Sequence, residues 1–468
     1  MKKRLRYSII KNMENLIQQI RTKFSITQEE LAHILGVSYT SVNAWEGGKR
    51  SPQEHMHTVL TDILNADSLP RVRDNINHAR GLYRSDAGYV SSILDYDNNR
   101  DSFPYTHGIG RWYGSLPSFL VRDILQFVRT DFSNKGPILA NFSGSGTIPL
   151  EAGLSGMESY AVDVNSMALL LSVLKTTPIV LSDNDFECAF QRIVSNKIID
   201  ELRLVNSASN LILSENRWLS DNVRTAFKEV CCGISAEKSF NIQLIFSVAF
   251  AAIAVDYANI DKRCTNHYVY KKSTDFKRED FEKRLKKEAY LYYSLNQTLH
   301  NAENYLVPKI SYGDTCSLTM KEQSIGIVFS HPPYGNTINY YSINRMQMSI
   351  IELIDFKADM EIPSIMKCKQ KDISSSTLQK FRSFTKSWVT EVERVLRPGG
   401  VFIAVIGDSR DNGKLSHPFT DIIIEGEKRG LVMRELFIWI TNHKAGMHVK
   451  RKGNHIDHNY IIIMEKPI

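Results

Sequence analysis

The chain has 468 residues, of which 43% are hydrophobic and 23% are charged. This composition is that of a globular protein of about two to four domains, and it excludes wholesale disorder. The 58 basic and 51 acidic side chains leave a net charge of +7, which permits a polyanionic partner without requiring one.

Membrane, secretory and metal-binding classes find no support in the sequence. No stretch reaches the ~18 apolar residues that a membrane-spanning helix needs. The basic start, Met1 to Arg6, is not followed by the apolar segment of a secretory signal. The six cysteines have neither metal-ligand spacing nor the pattern of a disulfide framework. We therefore expect a cytoplasmic protein with reduced thiols, without a metal and without a membrane partner.

Residues 1–66 are predicted to form a small all-α domain. Thr27-Gln28-Glu29-Glu30 has the pattern of a capping box at a helix start. Gly36 is predicted to end this helix, because glycine tolerates the left-handed conformation. Ser38 then caps a second predicted helix, Tyr39 to Trp45. Two short helices joined by a glycine-containing turn are typical of a helix-turn-helix.

The segment from Thr27 to Pro52 resembles the Xre/Cro-like DNA-binding family, in which the second helix enters the major groove. This resemblance implies that DNA is contacted by Gln28, Ser38, Tyr39, Thr40, Asn43 and Lys49. Of these, Tyr39, Thr40 and Asn43 would face base edges. Gln28 and Lys49 would contact phosphates. The alternative is a helical protein–protein module with no role in DNA binding.

The rest of the chain is predicted to be a linker followed by an α/β domain. Residues 67–103 are rich in Asp, Asn and Arg and are interpreted as the linker. In residues 104–468, helical stretches alternate with short apolar runs, such as Pro137–Ala140, Ile325–Phe329 and Val401–Ile406. This pattern favours a sheet covered by helices on both faces. Residues 181–304 interrupt the alternation and are predicted to be a mostly helical insertion.

A glycine-rich turn follows the first of these apolar runs. Gly144 and Gly146 allow close approach of the backbone to a ligand, and the helix that follows presents its positive N-terminus. About twenty residues later, Asp163 ends a second predicted strand, where a carboxylate can accept hydrogen bonds from two ribose hydroxyls. These features alone fit a dinucleotide site as well as a methyltransferase, although Pro149 stands where the dinucleotide fingerprint has its third glycine.

The tetrapeptide His331-Pro332-Pro333-Tyr334 follows a predicted buried strand, at the end where open α/β sheets bind ligands. The two prolines fix the backbone and leave their carbonyls without local donors. A rigid carbonyl beside a side-chain acceptor suits an exocyclic amine, because hydrogen bonds to both N–H groups let the delocalised lone pair localise toward a methyl donor. Tyr334 is expected to stack on an extruded base.

Over residues 104–468 the chain resembles the DNA amino-methyltransferases, whose signature is Asp, Asn or Ser followed by Pro-Pro-aromatic. The resemblance extends to five more segments: Gly313-Asp314, Asn339-Tyr340-Tyr341, Glu393 to Gly400, Ile406 to Arg410 and Asp457 to Ile462. It implies a Rossmann-like sheet that uses S-adenosylmethionine. There are three departures. Ala140-Asn141 stands where the family has an acidic residue and proline, and Ser166 stands where its Asp-x-Asn-Pro segment has proline. The third is His331, where only a neutral imidazole can accept a hydrogen bond.

The resemblance also implies two sets of site residues. The catalytic set is His331, Pro332, Pro333 and Tyr334. The set that binds S-adenosylmethionine is Phe142, Gly144, Gly146, Thr147, Asp163, Asn165 and Asp314.

The sequence therefore predicts a site-specific methyltransferase acting on double-stranded DNA, with cytosine N4 favoured over adenine N6. The helix-turn-helix would serve sequence-specific binding or autoregulation. A cognate restriction endonuclease is a possible partner, as in a restriction-modification system. Two alternatives remain open: a catalytically inactive, methyltransferase-like transcription regulator and an RNA amino-methyltransferase.

Overall fold

The computed structural model describes residues 16–23, 28, 31, 39–49, 60–61, 64, 92–95, 105–132, 136–197, 218–260, 276–335, 338–374, 377–411, 414–440 and 458–468. In the N-terminal part, residues 16–23 are helical, and helix α1 covers Tyr39–Glu46, one residue beyond the predicted end. Ser38 and the capping-box residues Thr27 and Glu30 lie outside the described residues. A small apolar core is shared by the fully buried side chains of Ile17, Ile20, Leu31, Val42 and Leu60.

Eight strands form one sheet in the α/β part of the chain. The ten strands in chain order are β1 (Ser92–Asp95), β2 (Ile138–Ala140), β3 (Ser159–Asp163), β4 (Lys309–Tyr312), β5 (Ile325–Ser330), β6 (Leu396–Gly407), β7 (Ser409–Asp411), β8 (Lys414–Ser416), β9 (Val432–Ile440) and β10 (His458–Glu465). β7 and β8 pair with each other in a separate antiparallel hairpin.

The strand order across the sheet is β1-β9-β10-β6-β5-β2-β3-β4. Every neighbouring pair is parallel except the two pairs that contain β10. From β2 the chain first moves outward to β3 and β4, and it then returns to place β5 on the other side of β2. Such a reversal creates a crevice at the carboxyl ends of the strands, where doubly wound sheets bind ligands.

Twelve α-helices are described: α1 and, continuing in chain order, α2 (Ser118–Asp131), α3 (Thr147–Leu154), α4 (Ser166–Thr176), α5 (Asp183–Ser195), α6 (Asp221–Ala236), α7 (Phe240–Ala254), α8 (Arg278–Gln297), α9 (Tyr340–Glu352), α10 (Ile365–Lys371), α11 (Leu378–Val395) and α12 (Pro418–Glu427). Short 3-10 turns cover Tyr105–Gly108 and Thr298–Asn301.

Alternate residues of the central strands pack on opposite faces of the sheet. On β5, Val328 packs into a cluster with α11 and α12, whereas Ile327 and Phe329 pack into a cluster with α2 and α3. All six residues of β5 are buried. The α/β fold class, with helices on both faces of a mostly parallel sheet, is thus confirmed.

Helices α5 to α8 lie in residues 181–304, the stretch predicted to be a helical insertion. Together with α4 and α9 they form a third apolar cluster. No helix among the described residues is long and apolar enough to cross a membrane.

Residues 67–103, interpreted as a linker able to dock on its neighbour, contain one regular element among the described residues. Within this segment, Ser92–Asp95 forms β1, the edge strand that pairs in parallel with β9. A four-residue strand inside a polar stretch gives too little alternation to be recognised in the sequence, because its pairing depends on a partner near the other end of the chain.

Candidate active site

A cavity that is open to solvent at its mouth lies at the carboxyl ends of β2, β3 and β5. Six of the seven predicted cofactor residues line it: Phe142, Gly144, Thr147, Asp163, Asn165 and Asp314. His331 and Pro333 of the tetrapeptide line it too, so the two predicted sites share one cavity.

The glycine turn between β2 and α3 uses its two glycines differently. Gly144 has a φ of 52°, and a Cβ there would lie 3.2 Å from Nε1 of Trp112. Gly146 has a φ of 82°, but it lies outside the cavity lining. A Cβ on Gly146 would lie 2.9 Å from Cα of Ser172 on α4. The cofactor contact predicted for Gly146 stays a prediction, and in the structure this glycine permits close packing of α3 against α4.

Asp163, at the end of β3, organises the turn. Its carboxylate accepts the backbone N–H of Gly144 at 2.8 Å and that of Asn165 at 2.9 Å. Burial raises the pKa of Asp163 to about 6, and the nearby charge of Asp372 adds to this rise. The backbone N–H of Val164 also stabilises the carboxylate, which with about four acceptor sites retains capacity for a further hydrogen bond. Asn165 caps α4, since its side-chain oxygen accepts the N–H groups of Met167 and Ala168.

Two further carboxylates line the cavity. Asp314 pairs with the ammonium of Lys371 at 2.6 Å and accepts the N–H of Cys316. Asp372 accepts the N–H of Tyr341 at 2.8 Å. The cavity therefore carries more acidic than basic groups, which suits a cationic ligand. The sequence analysis missed Lys371 and Asp372, because nothing in their local pattern indicates a site.

An aromatic pair closes one wall of the cavity. The rings of Trp112 and Tyr340 are stacked, with centroids 5.6 Å apart and planes inclined by 14°. The Tyr340 hydroxyl donates to the carbonyl of Tyr113 at 3.1 Å and so ties α9 to the segment before α2. Sequence reasoning did not identify Trp112, which follows no recognisable motif.

Asn141, one of the departures from the family pattern, is buried in the cavity wall. Its amide nitrogen donates to the hydroxyl of Thr315 at 2.6 Å. Its oxygen accepts a hydrogen bond from Ser330, the last residue of β5. The side chain thus fastens the glycine turn to the strand that carries His331.

The tetrapeptide divides between the cavity and the core. Pro332 and Tyr334 lie outside the cavity lining. The Tyr334 ring packs against the α11–α12 cluster, and its hydroxyl lies 3.0 Å from Nε2 of His331. The stacking of Tyr334 on an extruded base stays a prediction, and the structure shows that its ring packs against the domain core and that its hydroxyl contacts His331. Burial lowers the pKa of His331 to about 4, so the imidazole is neutral at pH 7.

A basic and aromatic rim borders the cavity beside Tyr341. The Lys369 ammonium lies 5.8 Å from the Tyr341 ring centroid, and the Arg345 guanidinium lies 6.0 Å from it. Arg345 also lies over Trp218 at 5.9 Å. Lys369 is exposed on α10 and has no carboxylate partner among the described residues. We refer to Arg345, Lys369 and Tyr341 as the cationic rim.

The predicted DNA-contacting residues of the N-terminal part are only partly described. Asn43 on α1 and Lys49 after it are exposed. The amide of Gln28 donates to Glu46 at 2.6 Å, and Glu46 also pairs with Arg21. Tyr39 and Thr40 begin α1. The roles proposed for these residues remain predictions.

The strand order, with β10 as the antiparallel strand of the eight-stranded sheet, and the crevice define a Rossmann-like α/β domain. Residues 325–467 match the family model described as DNA methylase. Residues 17–56 match the model described as helix-turn-helix. The chain thus joins a helix-turn-helix segment to a DNA methylase segment, as predicted.

Comparison with solved structures gives distant similarities. A protein of Thermus thermophilus described as a DNA modification methylase, in complex with S-adenosyl-L-methionine, is 20% identical, with a TM-score of 0.21 over 33% of this chain and 52% of that chain. The chain therefore spans about half the length of that protein. An rRNA methyltransferase of Streptomyces viridochromogenes is 11% identical, with a TM-score of 0.28 over 76% of this chain and 87% of that chain.

A methyltransferase of Methanosarcina mazei described as SAM-dependent is 10% identical, with a TM-score of 0.26 over 72% of this chain and 94% of that chain. Similarities at these values carry no argument about activity. No curated protein matches the chain.

Proposed function

We propose that the chain is an S-adenosylmethionine-dependent DNA methyltransferase that modifies an exocyclic amine, and that its helix-turn-helix selects or regulates the DNA it meets. The observation that carries this proposal is the shared cavity. A glycine turn with a buried carboxylate lies in the same cavity as a neutral imidazole, at the switch point of the sheet. This combination supports a cofactor subsite next to a group that can accept a hydrogen bond.

The residues present fit S-adenosylmethionine. Asp163 retains free acceptor capacity for ribose hydroxyls, and no cation pairs with it among the described residues. Asp372 adds negative charge beside it, which favours a cationic ligand. Phe142, Trp112 and Tyr340 offer apolar and aromatic surface for a purine. When bound there, S-adenosylmethionine supplies a methyl group on a positively charged sulfur.

His331 is proposed to accept a hydrogen bond from the target amine. Its neutral ring has one nitrogen with a free lone pair, and such an acceptor draws electron density toward the amine nitrogen. In the transfer, a bond forms between the amine nitrogen and the methyl carbon while the bond between that carbon and sulfur breaks. The nitrogen loses one proton, so the products are the methylated base, S-adenosylhomocysteine and a proton that leaves to solvent.

The cationic rim is proposed to hold the DNA backbone beside the cavity mouth. Lysine and arginine neutralise phosphates, and an aromatic ring between them offers a face for a base. Tyr341 belongs both to the rim and to the cavity lining, so a nucleotide held at the rim would adjoin the cavity. A base enters such a cavity only after it leaves the stack of the duplex.

Cytosine N4 is proposed as the target in preference to adenine N6. The support is the resemblance of the segments around Asn339 and Ile406 to the cytosine-N4 subgroup. The helix-turn-helix is proposed to bind a defined operator near the gene of this chain, which would limit expression of the enzyme. A cognate endonuclease would make the pair a restriction-modification system.

Nucleoside analysis tests the proposal directly. The full-length protein is incubated with unmethylated DNA and S-adenosylmethionine, and the DNA is then digested to nucleosides for mass spectrometry. N4-methylcytosine is expected; N6-methyladenine would replace the base assignment but keep the activity. An RNA substrate run in parallel tests the RNA alternative. Unmodified DNA together with sequence-specific binding would identify a catalytically inactive regulator.

A further inference from the structure

His331 ends a chain of three side chains that reaches into the middle of the sheet. Asn459 lies on β10, and its side-chain oxygen accepts a hydrogen bond from the Tyr334 hydroxyl at 2.8 Å. The same hydroxyl lies 3.0 Å from Nε2 of His331. The His331 and Tyr334 rings meet edge to face, at 81°, with centroids 5.6 Å apart.

With the side-chain oxygen of Asn459 facing the Tyr334 hydroxyl, a count of protons gives the direction of each hydrogen bond in this series. A phenol has one hydrogen to donate and two lone pairs that accept. Tyr334 donates its hydrogen to Asn459 and also receives a hydrogen bond from the backbone N–H of Gly407. The remaining neighbour, Nε2 of His331, must therefore donate its hydrogen to the hydroxyl oxygen.

The neutral ring of His331 carries a single N–H. If that hydrogen is on Nε2, then Nδ1 is unprotonated and is the acceptor of the ring. We propose that Asn459 is a positioning residue that, through Tyr334, holds neutral His331 as the Nε2–H tautomer and so reserves Nδ1 to accept a hydrogen from the target amine. The second half of this statement rests on the proposed function, whereas the tautomer itself does not.

The surroundings of Asn459 and Tyr334 keep this series of hydrogen-bonded side chains rigid. Asn459 is 6% exposed, and its backbone is paired in register with Gly407 on β6 and Trp439 on β9. Burial raises the pKa of Tyr334, so that its hydroxyl remains a donor throughout the physiological range. A side chain on a central strand has little freedom to change its hydrogen-bond partner, which suits a group that must fix a tautomer.

Nitrogen NMR of the histidine rings tests the tautomer without any assay of methyl transfer. Full-length protein is labelled with ring-¹⁵N histidine, and the His331 signals are assigned as those that disappear in His331→Ser. At pH 7 the wild type is expected to carry the ring proton on Nε2. A ring proton on Nδ1 in the wild type overturns the inference, and no variant is needed for that outcome.

Two variants test the role of Asn459. In Asn459→Ala the Tyr334 hydrogen turns to Nε2, and the His331 proton is expected to move to Nδ1. Asn459→Asp is the matched control, because a carboxylate oxygen still accepts from Tyr334 and the Nε2–H tautomer should persist. An unchanged tautomer in the folded alanine variant would show that Asn459 does not set it.

Kinetics then separate positioning from general support of the fold. Asn459→Ala should lower kcat on the order of ten- to a hundredfold, with little change in KM for DNA. The same substitution made in a His331→Ser background should have no further effect on kcat. An equal loss in both backgrounds would contradict action through His331. If the tautomer results hold but no DNA is methylated, the tautomer assignment stands and the proposed function fails.

Discussion

The side chain of Asn141 accepts a hydrogen bond from the hydroxyl of Ser330 at 2.6 Å, and both residues are buried. Ser330 is the last residue of β5 and Asn141 is the first residue after β2, so one bond joins the glycine turn to the segment that begins with His331. The relative position of the two halves of the cavity depends on this contact.

Asn141→Ala should lower both stability and activity. The substitution leaves the buried hydroxyls of Ser330 and Thr315 without their Asn141 partner. Each buried polar group left unsatisfied costs about 1–3 kcal/mol. The free energy of unfolding, measured by denaturant titration, should therefore fall by at least about 1 kcal/mol. Ser330→Ala alone and in combination supplies the control, since coupled residues give losses that do not add. Full additivity of the two losses would contradict the contact.

Asp163→Ala should weaken binding of S-adenosylmethionine by about 1–3 kcal/mol, the usual cost of a lost hydrogen bond to a charged group. Because the pKa of Asp163 is about 6, its carboxylate is ionised at pH 8 and mostly protonated at pH 5. Affinity in the wild type should therefore decrease as the pH is lowered through 6.

Isothermal calorimetry from pH 5 to pH 8 measures both effects. Asp163→Asn is the control variant, because its amide cannot titrate and its affinity should not follow the same pH dependence. Equal affinities of wild type and alanine variant, with the fold intact, would remove Asp163 from the cofactor site.

His331 should determine the acid limb of the pH–rate profile. Its pKa is lowered to about 4, so its contribution is constant near neutrality and declines only as the pH approaches 4. Protonation turns both ring nitrogens into donors and removes the acceptor. His331→Ser should retain activity without this decline, and His331→Ala should lose activity while still binding the cofactor. Three profiles of the same height and shape would exclude His331 as the acceptor.

Lys369→Ala should weaken DNA binding and reduce the salt dependence of the binding constant by a slope of about 1, as expected for one lost phosphate contact. Lys428 supplies the control. It is exposed between the end of α12 and the start of β9, away from the cavity. Fluorescence anisotropy at several salt concentrations compares Lys369→Ala, Lys428→Ala and wild type. Indistinguishable slopes for the two variants would remove the rim from the DNA path.

Asn43→Ala and Lys49→Ala test the helix-turn-helix in the full-length chain. Loss of a base-edge contact should relax sequence preference, whereas loss of a phosphate contact should weaken all sequences alike. Gln18→Ala, on the exposed face of the helix formed by residues 16–23, is the control. Binding selection from a random DNA pool reads out both properties. Unchanged preference and affinity in both variants would favour the protein–protein alternative.

The sequence was sufficient for features that depend on local pattern. The central strands β2, β3, β5 and β6 were recognisable as apolar runs, and the glycine turn and the tetrapeptide each follow one of them. Chain reversal at the switch point then brings the two motifs together, as the resemblance implied.

Other site features depend on distant segments and could not be read locally. Trp112 lines the cavity beside Gly144, which lies far from it in local pattern. Asp372 lines the cavity because α10, which it follows, packs beside α4 and α9. The hydrogen bond of Tyr334 to Asn459 was missed for a related reason. An aromatic residue after Pro-Pro suggests stacking, but its hydroxyl has a partner, Asn459, that lies 125 residues further along the chain.

The position of β10 has a consequence for how the molecule assembles. β10 lies between β6 and β9, and β1 contacts only β9, so that flank of the sheet cannot form until residues 458–465 are in place. The cofactor half, β4-β3-β2-β5-β6, needs no such late element. Pairings of this sequence separation are slow to form. Because Asn459 lies on β10, the tautomer that we propose for transfer would be set only by the final strand. An incompletely assembled chain could therefore hold its cofactor while its transfer step remained slow.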